Sequence, residues 1–112
     1  MLPGAALVAA FVLASAASAC DTPAVVAMPD GKTSTKEQML AARDQVKAYM
    51  KGMEDFMKCV DDEAAAKSDA TAEYKDQMAA RHNNAVSEME AVAAAFNEQL
   101  HAYNAAHPAP PK

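Results

Sequence analysis

Apolar residues return every seven positions through the middle of the chain. Met39, Val46, Met53 and Val60 make one column, and Ala42, Tyr49 and Phe56 make a second, three residues on. Steps of three and four place both columns on one face of an α-helix, which turns once in about 3.6 residues. In heptad terms these are the a and d positions. Met50 and Met57 widen the stripe at e, while Asp44, Lys47, Lys51, Glu54, Asp55 and Lys58 occupy the other side. Just upstream, Ser34-Thr35-Lys36-Glu37 has the spacing of a capping box, with Ser34 accepting from the amide three residues on and Glu37 reaching back. The pattern predicts a first helix that opens at Ser34 and runs past Val60.

The stretch Ala66-Lys67-Ser68-Asp69-Ala70-Thr71 breaks the period with side chains that compete for backbone hydrogen bonds. Thr71 or Asp69 can cap a second helix with Glu73 in its first turn. The apolar face of that helix reads Tyr74, Met78, Ala85, Met89, Val92, Phe96, Leu100 and Tyr103, and Pro108 sets its limit. Two long helices with a short connection pack antiparallel. The predicted fold is therefore all-α, an antiparallel two-helix hairpin with coiled-coil-like contact over residues 34–106. Pairing about the loop sets Val60 against Tyr74, Met53 against His82, Val46 against Met89 and Met39 against Phe96. His82 is the polar exception among these layers and reads as a neutral packing residue rather than a ligand. The Pro-rich tail, residues 107–112, is expected to be extended and disordered.

The other end of the chain carries a different pattern. Residues 5–17 are nearly all Ala, Leu, Val and Phe, a run too short to span a bilayer and without amphipathic period. Ala17-Ser18-Ala19 supplies the small residues that precede a signal-peptidase cut. Residues 1–19 are read as a signal peptide, although its opening, Met1-Leu2-Pro3-Gly4, lacks the usual Lys or Arg. The mature chain then starts at Cys20, with residues 20–33 as an extended N-terminal segment. The expected location is periplasmic or secreted, with no membrane insertion after cleavage.

Charge narrows the partners. Fifteen acidic against ten basic residues leave a net charge of -5, with no basic patch, which argues against nucleic acid and anionic membrane surfaces. Aromatic residues make up 5% of the chain and tryptophan is absent, so a large globular core is not available.

Candidate chemistry is sparse. Met50, Met53 and Met57, with Cys59 close behind, are soft ligands that suit Cu(I). They sit on the core stripe, however, where methionine as a flexible filler accounts for them without a metal. Asp61-Asp62-Glu63 lacks the ligand loop that Ca²⁺ requires and reads as a solvated acidic face. His101 and His107 have no partner at metal-binding spacing, and no Ser/His/Asp or Cys/His nucleophile arrangement can be assembled. No cofactor is predicted, and a two-helix hairpin lacks the enclosed cleft that catalysis uses.

The chain contains two cysteines, and export would place them in an oxidising compartment, so Cys20 is predicted to pair with Cys59. Geometry allows it. From Ser34 to Cys59 a helix rises about 37 Å, and the chain from Ser34 back to Cys20 spans about 43 Å when extended. Gln38, Gln45, Gly52 and Cys59 recur every seven residues beside the apolar face, an uncharged track along which the segment can lie. Gly52 leaves room for close approach, the amides of Gln38 and Gln45 can bond an extended backbone, and Asp30-Gly31 offers the turn. Val25, Val26 and Met28 would then cover apolar surface that the second helix leaves open. The alternative is a lipoprotein anchored through Cys20. It expects Leu or a similar residue where Ala17 stands and strands Cys59 as a free thiol.

Several stretches together resemble a known group. Cys20-Asp21-Thr22-Pro23, Pro29-Asp30-Gly31, Val46-Lys47-Ala48-Tyr49-Met50 with Cys59, and His82-Asn83-Asn84-Ala85-Val86 through Met89-Glu90-Ala91-Val92-Ala93 to Phe96-Asn97 resemble short uncharacterised secreted or periplasmic proteins of Gram-negative bacteria. The likeness covers nearly the whole mature chain. It implies export and a disulfide and carries no activity with it. The expected function is that of an exported, non-enzymatic helical module of the cell envelope that binds a protein partner or itself. The alternative is a small binding protein for Cu(I) or an apolar ligand, using the Met-rich layer.

Overall fold

The computed structural model describes residues 20–108. The signal peptide read over residues 1–19 and the last residues of the tail, 109–112, lie outside them. Two helices pack against one another, α1 over Lys36–Ala66 and α2 over Ala72–Ala106. Among the described residues there is no strand.

The capping box forms one residue later than the sequence spacing suggests. Thr35 is the N-cap: its hydroxyl accepts from the Gln38 amide at 3.1 Å, and the Gln38 side-chain oxygen accepts from the Thr35 amide at 2.8 Å. Ser34 is already committed. Its N–H donates to the Asp30 carbonyl at 2.9 Å, which makes it the last residue of a turn rather than the first of a helix. At α2 the cap is Thr71, whose hydroxyl accepts from the Tyr74 amide at 3.1 Å, and the helix stops at Ala106, before Pro108.

The core follows the a and d columns. Met39, Ala42, Tyr49, Met53, Phe56 and Val60 are buried on α1, Val46 is half-buried, and Met50 and Met57 at e are half-buried against the same cluster. From α2, Met78 and Ala85 are buried, and Tyr74, Met89 and Val92 pack at the edge of the cluster.

The helix register differs from the expected one. Met53 shares a small hollow with Arg81, Asn84, Ala85 and Glu88, so the residue at its level is Ala85, three positions past His82. The reversal falls inside the expected break but is centred on Asp69, just past the midpoint of the expected pairs, which slides every pair by most of a helical turn. Ala85 is 2% exposed there, whereas His82 is half-buried. A salt bridge from Arg81 to Glu63, 3.7 Å, ties the helices near the turn, and the Arg81 guanidinium lies 5.5 Å over the Phe56 ring.

Candidate functional site

The feature that departs from a plain hairpin is the segment ahead of α1, here called the strap, residues 20–29. Its first residue is bonded to α1 by a disulfide between Cys20 and Cys59, with Cα atoms 5.6 Å apart. Cys20 is 5% exposed and belongs to the same core cluster as Tyr49, Met53, Phe56 and Val60. The bridge therefore sits at the edge of the hydrophobic core. A sulfur so bonded cannot also carry a thioether-linked lipid, so the bridge and a lipid anchor at Cys20 exclude one another.

From Cys20 the strap runs along α1. Pro23 packs on Gly52 so closely that a β-carbon on the glycine would stand 3.0 Å from the proline Cβ. Farther on, Pro23 to Ala27 lie beside Gln45, Ala48 and Tyr49. Val26 packs against the core, whereas Val25 points away and keeps 85% of its surface. That corrects the expectation that Val25, Val26 and Met28 all cover the helix: adjacent side chains of an extended segment face opposite ways, so only one of two neighbouring valines can turn inward. Gln38 does not serve the strap as expected either, because its side-chain oxygen closes the α1 cap.

The far end of the strap is fastened to α2. Asp30 organises a turn, its carboxylate accepting from the Lys32 amide at 2.9 Å and its carbonyl from Thr33 and Ser34. Inside that turn the Gly31 N–H donates to the Gln99 side-chain oxygen at 2.9 Å. Gly31 is buried directly on the α2 backbone, and a side chain there would run into the Gln99 carbonyl oxygen and the Tyr103 amide nitrogen. The sequence marks Asp30-Gly31 as a turn but not as a docking point. Gly31 has no positive φ, so the turn itself does not require glycine; the close contact with α2 does, and no local sequence signal announces that contact.

Between these ties the strap backbone is unpaired. Among the described residues no backbone–backbone hydrogen bond involves Asp21 through Met28. A shallow hollow of about 450 Å³ lies beside it, lined by Pro23, Ala24, Val25, Val26, Ala27, Gln45, Ala48 and Tyr49. Tyr49 forms part of its floor, and burial, followed by the nearby Glu88 carboxylate, pushes its hydroxyl above the ordinary tyrosine value.

The metal readings gain little from the geometry. Met53 is 1% exposed in the middle of the core, Met50 and Met57 are half-buried along the same stripe, and Cys59 is oxidised. The bridge thus removes the thiolate that a Cu(I) site would draw on. Among the described residues no three His, Cys, Asp or Glu side chains converge as a metal site. Of the acidic run, Asp62 pairs with Lys58 at 3.0 Å and Glu63 with Arg81. His107 stacks on Tyr103 with ring centres 4.3 Å apart at the end of α2.

No helix among the described residues is long and apolar enough to cross a membrane. Comparison with family models, curated proteins and solved structures finds no match for this chain.

Proposed function

We propose that the protein is exported across the inner membrane of a Gram-negative bacterium, loses residues 1–19, and acts without catalysis as a protein-interaction or structural module of the envelope. The observation that supports this reading most is the Cys20–Cys59 bridge. Such a bond persists in an oxidising compartment, and it joins the first residue after the expected cleavage site to the hairpin core. The tied strap gives a fixed surface whose flanking hollows are shallow and open, a form suited to contact with another chain rather than to enclosing a substrate.

Fractionation of the native cells, with intact mass of the recovered protein, tests the reading. The expected result is release with the periplasmic contents and a mass that begins at Cys20 with both thiols oxidised. Retention of residues 1–19 in the cytoplasm, or a diacylglyceryl mass on Cys20, contradicts it. Chemical crosslinking in the same cells is expected to give a discrete adduct in the envelope fraction.

A further inference from the structure

Resting on the reading of the protein as an interaction module, we infer that the strap edge Ala24–Met28 pairs with an extended segment of a partner protein, apolar in its middle and basic at both ends. The strap backbone is open to pairing. The carbonyls of Asp21 through Met28, and their N–H groups apart from Pro23, which has none, lack a backbone partner among the described residues, so a row of strong donors and acceptors stands unused. Ala24, Val25 and Ala27 are exposed beside it, and Val25 keeps 85% of its surface.

There is also room for a strand. The hollow of about 450 Å³ runs along this row, with the strap on one side and Gln45, Ala48 and Tyr49 on the other. That volume is within the range of ligand sites, and the apolar floor suits the inward side chains of an added strand. The strap is also held at both ends, by the bridge at Cys20 and by Gly31 on Gln99, so little ordering is left for the complex to impose.

Charge selects the occupant. Thr22 through Pro29 carry no charge, but the exposed Asp21 and Asp30 bound them. Glu98 and Lys32 stand near the Asp30 end and leave it negative. Two copies pairing antiparallel through this edge would set Asp21 of each chain against Asp30 of the other, like charge against like. A segment with Lys or Arg at both ends meets opposite charge at each.

The test titrates the purified, isotope-labelled protein, its bridge intact, with a synthetic peptide of alternating threonine and valine that ends in lysines. A second peptide, identical but ending in glutamates, is the comparison. The lysine-ended peptide is expected to shift the amide signals of Ala24 through Met28 and to bind at least about tenfold more tightly than the other. Val25→Pro removes a donor at an exposed position, so it is expected to abolish binding without lowering Tm, while Val25→Ala keeps the donor and the binding. Equal affinity for the two peptides, binding that survives Val25→Pro, or no binding by either overturns the proposal. So does dimerisation through the same amides without peptide, which would make the occupant a second copy. Shifts confined to α2 sink the strap edge but leave the interaction module standing, whereas failure of export sinks that module reading and leaves the peptide result untouched.

Discussion

Gly31 has no space for even a methyl group, because the atom it would meet is the Gln99 backbone oxygen, which α2 holds in place. Gly31→Ala is expected to destabilise the fold by about 2 kcal/mol, the usual range for overpacking against an unyielding neighbour, as read by urea denaturation. Gly52 is a different case. Its neighbour is Pro23, on a strap tied only three residues away, so the effect of Gly52→Ala depends on that tie. With the bridge intact the substitution is expected to bring no gain. After reduction and alkylation it is expected to stabilise by about 1 kcal/mol, the helix-propensity difference, because the strap can then lift away. The same sign in both forms would show that Pro23 does not press on Gly52. Tyr49 adds a pH dependence. Its hydroxyl titrates above 10.0 in the folded chain, because burial and then Glu88 disfavour the phenolate. The folded state holds this proton more firmly than the unfolded state, so the associated stability is complete below about pH 10 and is lost as pH rises through the raised value. Stability measured across that range is expected to fall, and Tyr49→Phe is expected to flatten the fall. An unchanged profile in the variant would contradict the assignment.

At the scale of elements, α1 was the most legible part of the sequence. Its heptads use large residues at a and d against charged ones opposite, so burial could be assigned almost residue by residue, from Met39 to Val60. In α2 the contrast fades, because alanine occupies inner and outer positions alike. Ala85 is buried while Ala79 and Ala80 are exposed, and Leu100, expected on the inner face, remains 37% exposed. The register was not legible, since it depends on where the turn is centred, and residues 66–71 are tolerant enough to place it two residues either way. The cap moved by one residue for a local reason that the capping-box spacing does not show: the turn at Asp30 takes the Ser34 amide, and Thr35 is then the first residue free to cap. Accordingly, Thr35→Ala is expected to cost about 1 kcal/mol by urea denaturation, with a smaller loss for Glu37→Ala, which the cap does not use. The reverse order would restore Ser34 and Glu37 as the capping pair.

At the scale of the whole molecule, the strap settles what the helix pattern left open. The apolar arc of α1 from e across a and d is wider than one partner helix covers, so a further segment or a further subunit had to cover the rest. Cys20 and Val26 do so from within the chain. Light scattering is therefore expected to give a monomer while the bridge is intact. The strap's path could be anticipated from the cysteine spacing and Gly52, but its anchor on Gln99 could not, because nothing in the local sequence around Gly31 points to a residue 68 positions away. The bridge is the tie that holds this third layer. Closing a loop across the 39 residues from Cys20 to Cys59 is worth about 4 kcal/mol in the chain-entropy model, much of the stability of a domain this small. The measurement is urea denaturation of the bridged protein against the same protein reduced and alkylated. A loss of about 4 kcal/mol on opening the bridge is the predicted result, and two superimposable curves would contradict it.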